Sequence, residues 1–343
     1  MSKNYRIEDL RANQRLLALE LKSRDIQVSI LDWTNEILEA KFHDHSELFV
    51  DIDSSIVPFA ASAIASSKSL TKKLLVRAGI SVPKGKHFDS REMTAILDFA
   101  TTELSFPIVL KPSNGVQGQN VFTGLESIAE VLAALQSLSL DLGNVEILVE
   151  EQIFAHEFRV FITKDKSFAV LHREPAYVVG DGFNSIEELA KQESYKRLNP
   201  RVNCLCEIVL DLEAKAYLRK RGLDFCSVPR KGEKIQIRGS SNVKCGGVPT
   251  DVTDLVHPSV IDICHKSLLT IPGLPYAGID FMCSDIRKAQ KPSSYRILEI
   301  NSVPGIGIHM APGRGKPRNV AGMIADLIFP ESINKTEQKR WAA

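Results

Sequence analysis

Leu298-Glu299-Ile300-Asn301-Ser302-Val303-Pro304-Gly305 is the stretch whose reading decides the fold. In an extended strand residues two apart share a face, so Glu299 and Asn301 project together while Leu298 and Ile300 are expected to face the core. Two oxygen-bearing side chains are thus paired, and the Ser302-Val303-Pro304-Gly305 turn stops the strand just behind them. Upstream, Ala277-Gly278-Ile279-Asp280-Phe281-Met282 reads as a second strand. If it lies beside the first, Asp280, Glu299 and Asn301 form a hard oxygen site suited to Mg²⁺. For Asp280 or Glu299 taken alone, the solvated polar face of an amphipathic strand is the simpler reading.

Two further segments bear on the same chemistry. Pro107-Ile108-Val109-Leu110-Lys111-Pro112 runs into a loop containing Gly115 and Gly118. A lysine ending a buried strand can set its ammonium on a phosphate while loop N–H groups approach from above. No GK[ST] opens a helix here, so this is not a Walker A loop, and a glycine-bearing hairpin is the commoner origin of such a segment. In Ile147-Leu148-Val149-Glu150-Glu151-Gln152-Ile153 a strand turns into a hinge whose backbone can pair with adenine, and the Glu157 carboxylate beyond it can accept from ribose hydroxyls. An acidic strand end explains that spacing equally well.

The bulk properties set no special environment. With 343 residues, 44% hydrophobic, 25% charged, and 43 Lys+Arg against 42 Asp+Glu, the chain reads as an ordinary globular protein, with neither nucleic acid nor a membrane expected as partner. The polar start lacks the apolar core of a secretory signal, and the apolar run over 55–67 is short and carries Pro58, so a cytoplasmic location is expected. Cys204, Cys206, Cys226, Cys245, Cys264 and Cys283 lack paired CxxC spacing and are read as free thiols.

Periodicity divides the chain. Residues 1–65 read as a reduced N-terminal α/β domain. Residues 66–152 read as a small α+β unit, opening with a helix over 69–79 for which Ser69 is the expected N-cap. Residues 153–330 read as a larger antiparallel-rich unit with a polar inserted flap at about 191–253, and 331–343 as a tail.

The order Lys68, Lys111, glycine loop, Glu150-Glu151-Gln152-Ile153, Glu157, Asp280, Glu299-Ile300-Asn301 resembles the ATP-grasp superfamily. Arg173-Glu174-Pro175-Ala176-Tyr177, Ile237-Arg238-Gly239-Ser240-Ser241-Asn242 and His309-Met310-Ala311-Pro312-Gly313-Arg314 add similarity to the ATP-grasp regions of cyanophycin synthetase and bifunctional glutathione synthetase. The resemblance covers about 66–330. It implies an α+β ATP-grasp fold, two α+β units enclosing ATP, and a carboxylate-amine ligase that works through an acyl phosphate. It also implies that Lys68 and Lys111 contact phosphates, Glu150 to Ile153 the adenine and Glu157 the ribose. Asp280, Glu299 and Asn301 would hold two Mg²⁺ ions, for which Mn²⁺ can substitute. Arg173, Arg238 and Asn242 would serve the chemical step, with the arginines facing the γ-phosphate or acyl phosphate, and His309 and Arg314 could meet an acceptor carboxylate. Amino acids or short peptides are the implied substrates, and a homodimer or homotetramer the implied assembly. Lys244-Cys245-Gly246-Gly247 departs from the Ser-Thr-Gly-Gly of the relatives, and the further domains of the two full enzymes are not seen in this sequence. A nucleotide-binding module without turnover, or a phosphotransferase, are the competing readings.

Overall fold

The computed structural model describes residues 6–113, 121–198 and 203–333. The chain opens with α1 (Ala12–Ser23), the antiparallel meander β1 (Gln27–Asp32), β2 (Ile37–Phe42) and β3 (His45–Val50), then α2 (Phe59–Ser66) and α3 (Lys68–Arg77). It continues through β4 (Gly85–Asp89), α4 (Met93–Thr102), β5 (Ile108–Pro112), β6 (Phe122–Leu125), α5 (Ile128–Leu142) and β7 (Glu146–Glu151). These strands make an antiparallel sheet ordered β4-β7-β5-β6. There follow β8 (His156–Thr163), β9 (Phe168–Glu174), β10 (Tyr177–Val179), α6 (Ile186–Leu198), α7 (Leu212–Arg219), β11 (Lys234–Gln236) and β12 (Val248–Asp251). The described chain closes with α8 (Pro258–Leu269), β13 (Tyr276–Cys283), β14 (Tyr295–Asn301), α9 (Gly307–Met310) and α10 (Val320–Ile328). A five-stranded antiparallel sheet is ordered β12-β9-β8-β13-β14, and β10 pairs with β11 alone.

In the four-stranded sheet, Ile108 and Leu110 of β5 and Ile147 and Val149 of β7 are buried under Ile96 and Ala100 of α4 and Val131, Leu135 and Leu138 of α5. Strand alternation then throws Lys111 and Glu150 onto the opposite face.

One face of the five-stranded sheet carries the main core, where Phe158, Val160, Ile279, Phe281, Ile297 and Ile300 pack with residues of α2, α3 and α8. Its other face changes character. Phe161, Ala169 and Tyr276 are covered by α1, the meander and α10, whereas further along that face lie Gly278, Arg159 and Asp280.

The structure departs from the sequence reading in four places. Leu17, Leu21, Leu38 and Phe49 share a core with Tyr276, Ile324 and Phe329, so a boundary at 65 runs through joined packing. Ser67, not Ser69, caps α3 by accepting from Leu70 N, which makes Lys68 the first helical residue. The insert has a core of its own that includes Ala176, Val178, Ile186, Leu218 and Ile237, so it begins before 191. In β14 the register steps from Asp280↔Glu299 to Phe281↔Ile297, leaving Leu298 as a bulge residue. Simple alternation fails there, and the buried pair is Ile297 and Ile300 rather than Leu298 and Ile300.

Candidate active site

β13 runs between β8 and β14, with Asp280 opposite Arg159 on one side and Glu299 on the other. Next to it, Glu157 of β8 stands opposite Arg173 of β9. Directly opposed residues of neighbouring strands share a face, and here that brings three carboxylates and two guanidinium groups together. Arg159 Nε lies 2.8 Å and Arg173 Nη1 3.6 Å from Asp280 Oδ1. Arg173 also donates to one Glu157 oxygen and the Ser241 hydroxyl to the other. Asn301 Nδ2 donates to Glu299 Oε1 at 3.0 Å.

Burial drives the Asp280 carboxyl above its usual range against the pull of Arg159 and Arg173, and the neighbouring Glu299 pushes it further up. Glu299 resists the same burial because Arg159, Asn301 and Lys68 hold it down to about 2. Burial therefore weighs most on Asp280, and the two acids forced together repel each other. A divalent cation would relieve that repulsion. Among the described residues no three His, Cys, Asp or Glu side chains gather as a metal site. Two carboxylates and a carboxamide nevertheless suit Mg²⁺, which binds through one or two carboxylates and completes its shell with phosphate and water.

Across from this set is a cluster of lysines. Glu150 is 4% exposed, with Lys72 Nζ 3.0 Å from Oε2 and Lys111 Nζ against Oε1. A Cβ at the facing Gly85 would stand 2.5 Å from Glu150 Cβ, so β4 approaches this closely only because position 85 is glycine. Burial depresses the Lys68 ammonium, while Glu299, Glu150 and Asp280 act on it in the other direction. Burial opposes the charge on Lys111 too, but Glu150 outweighs it and raises its pKa, with Glu299 and Asp280 adding to the effect. Both ammonium groups therefore feel the carboxylates of both sheets, and the two sheets face one cleft.

Several expected residues have other duties here. Arg238 needs correcting: it is 1% exposed and donates to Asp211 Oδ1 at 2.8 Å, Val209 O at 3.0 Å and Glu213 Oε2 at 3.2 Å. Its guanidinium is spent within the insert, on the first turn of α7, instead of facing a phosphate. The Glu151 carboxylate accepts from Lys84 N at 2.9 Å and lies 3.5 Å from Arg296 Nε, so it pins the hinge. Ile153 is half-buried in the crossover from β7 to β8. Asn242 Oδ1 accepts from Lys244 N and caps the turn at Val243–Cys245. Gly115 and Gly118 lie outside the described residues. His309 is 0% exposed with neither ring nitrogen hydrogen-bonded, and Arg314 pairs with Glu174 and Tyr177.

Three residues of the cleft escaped the sequence reading: Arg159, Lys72 and Ser241. Arg159 was detectable as the residue two beyond Glu157 on the same strand face, and Lys72 as the residue one helical turn beyond Lys68. Nothing local marks Ser241, whose partner Glu157 is 84 residues away.

Residues 65–178 match the RimK-like ATP-grasp domain. Cyanophycin synthetase of Geminocystis herdmanii is 31% identical over 336 residues, which cover 95% of this chain and 38% of that protein. The glutathione biosynthesis bifunctional protein GshAB of Clostridium perfringens is 31% identical over 327 residues, covering 94% of this chain and 41% of that one. The crystal structure of a bifunctional glutathione synthetase from Pasteurella multocida is similar with a TM-score of 0.68 at 27% identity, covering 95% of this chain and 45% of that chain. The chain thus spans about two-fifths of the length of these curated relatives. With lysines on one antiparallel sheet facing carboxylates on another, and with this similarity along nearly its whole length, the chain carries a RimK-like ATP-grasp domain within an α+β fold.

Proposed function

We propose that this chain is an ATP-dependent carboxylate-amine ligase that joins amino acids or short peptides through an acyl phosphate and releases ADP and phosphate. The observation that carries the reading is the cleft itself, where Lys68 and Lys111 face the repelling Asp280–Glu299 pair and Arg159 and Arg173 stand beside them.

Lys68 and Lys111 bind the phosphates of ATP, the backbone of the hinge over 150–153 receives the adenine, and Glu157 accepts from the ribose. Asp280, Glu299 and Asn301 hold magnesium, two ions with Mn²⁺ as a substitute, which when bound neutralises phosphate charge and orients the phosphates. A substrate carboxylate oxygen attacks the γ-phosphorus, and the bond to the β-phosphate bridging oxygen breaks to give acyl phosphate and ADP. Arg159 and Arg173 meet the charge on the transferring oxygens, where a planar guanidinium suits tetrahedral phosphate. The amine nitrogen then attacks the acyl carbon and phosphate leaves. The insert spanning β10 to β12 shields the intermediate from water. Its Lys220 donates to Gly124 O at 2.8 Å and Glu130 Oε2 at 2.9 Å, which ties it to the small sheet.

Cys226, Cys245, Cys264 and Cys283 carry free thiols, in keeping with a cytosolic location. No helix among the described residues is long and apolar enough to cross a membrane. A dimer or tetramer comes with the family likeness, and sedimentation will test it. ADP release across a panel of amino acids and short peptides, with the new amide identified by mass, tests the reaction. Turnover should require both a carboxylate and an amine. ATP binding without acceptor-dependent turnover would point to a binding module, and a stable phosphorylated product to phosphotransfer.

A further inference from the structure

Lys72 has no duty in the reaction above, yet it occupies half of the Glu150 carboxylate, with Nζ 3.0 Å from Oε2 while Lys111 holds Oε1. We propose that Lys72 is a positioning residue that keeps Glu150 paired, and therefore ionised, when Lys111 leaves it for the phosphates of the nucleotide. The proposal rests on the nucleotide-binding reading and adds a residue to it.

The Glu150 side chain is 5% exposed, and those of Lys72 and Lys111 are 16% and 14% exposed. Two ammonium groups on one buried carboxylate leave an excess positive charge. Glu150 sits on β7, an inner strand hydrogen-bonded on both sides by β4 and β5, so its backbone cannot follow Lys111 outward. With Lys111 as sole partner, moving it onto a phosphate would strand a buried carboxylate, and an uncompensated buried charge is strongly unfavourable. Lys72 removes that obstacle.

It is also placed to stay behind. α3 packs through Leu75 into the core of the large sheet, while Glu150 and Lys111 belong to the small sheet, so the Lys72–Glu150 pair is anchored from the opposite side. The charged groups that face or influence this cluster are Lys72 and Lys68 from α3, Lys111 from β5, His87 from β4, Glu151 beside Glu150, and Asp280 and Glu299 from β13 and β14. Among them, burial lowers the pKa of Lys72 more than Glu150 raises it, while Lys111 moves upward.

The test is calorimetric binding of ATP with Mg²⁺ to the full chain and to Lys72→Met, Lys72→Arg, Glu150→Gln and the Lys72→Met/Glu150→Gln double variant. Measurements run from about pH 8.5 down to about pH 5.5, a range in which an unpaired buried carboxyl titrates. Lys72→Met should weaken binding by about tenfold to a hundredfold at high pH, the loss of a charged pair. It should recover as the pH falls and Glu150 takes up a proton, and Lys72→Arg should restore binding. Against Glu150→Gln, which needs no counter-charge, Lys72→Met should add less than about twofold. Should Lys72→Met not fold, the Glu150→Gln comparison decides the matter. A pH-independent loss of equal size in both backgrounds would make Lys72 a direct phosphate ligand and overturn the proposal. Unchanged binding in Lys72→Met would overturn the proposal alone, while a wild-type chain that binds no nucleotide overturns the nucleotide reading and the proposal with it.

Discussion

Replacing Gly278 by alanine asks whether Arg159 must lie across β13 for the site to work. A Cβ at 278 would stand 2.8 Å from Arg159 Nη1 and 2.8 Å from Pro304 Cβ. Non-bonded carbons rest at roughly 3.5–4.0 Å, so the methyl overlaps Pro304 by the better part of an ångström. Pro304 is held in the turn that ends β14. The Arg159 guanidinium sits on a flexible stem and is the group that yields, and as it swings away it leaves Asp280 Oδ1, which its Nε approaches to 2.8 Å. Overpacking costs about 1–3 kcal/mol. Alanine gives back about 0.5–1 kcal/mol because glycine loses more backbone freedom on folding. The net destabilisation is therefore at most about 2.5 kcal/mol, measurable by urea unfolding. Loss of a preorganised cation at the reacting phosphoryl group is expected to lower turnover by about 10²–10³, roughly 3–4 kcal/mol of barrier. Activity thus falls much further than stability, and Arg159→Ala should match it in acceptor-dependent ADP release. Wild-type turnover in Gly278→Ala beside an inactive Arg159→Ala would show that the guanidinium need not lie where the structure has it, and the reasoning would fail.

Three other outcomes follow from the same geometry. Asp280→Asn should abolish magnesium-dependent turnover, yet leave unfolding in the presence of chelator unchanged or raise stability by about 1 kcal/mol, because it removes one of two repelling carboxyls; a marked destabilisation in chelator would contradict the repulsion. Arg238→Met should destabilise the protein by about 2–3 kcal/mol through its lost charged hydrogen bonds while ATP affinity stays the same, and a selective loss of affinity would return Arg238 to the site. His309 is fully buried and neutral, its pKa pushed down from 6.5 to about 3 by burial first and then by Arg159. Below 6.5 the unfolded chain gains a proton that the native state refuses, so stability present above that pH is lost as the pH falls toward 3, at about 1.4 kcal/mol per pH unit. Relative to His309→Gln, the wild type should therefore lose about 2 kcal/mol between about pH 7 and about pH 5, and parallel pH profiles would refute the buried neutral imidazole.

How far the site could be read in advance varied with the range of the interactions. Glu299, Asn301 and Lys111 sit on short strands whose alternation is local, so their common exposure to one cleft was readable from a few neighbours. The Leu298 bulge was not, because a bulge exists only relative to the partner strand and β13 imposes it. Arg238 misled for a related reason. An arginine in a motif-like segment signals a charged partner, but the partners, Asp211 and Glu213, reach it only after the chain has folded back over 27 and 25 residues. The leading segment read as a domain because its helix and strands are locally periodic, and only packing shows that it closes one end of the large sheet.

By itself, then, the sequence determined the secondary elements, the order of the site motifs along the chain and the chemistry those residue types can support, since each depends on neighbours a few positions apart. Only the tertiary structure decided which charges meet. It set Arg159 against Asp280 across 121 residues and Lys72 against Glu150 across 78, and it turned Arg238 inward. The physical reason is that a buried charge takes whichever partner the folded chain brings within a few ångströms, and that choice is made by strand register and packing rather than by sequence spacing.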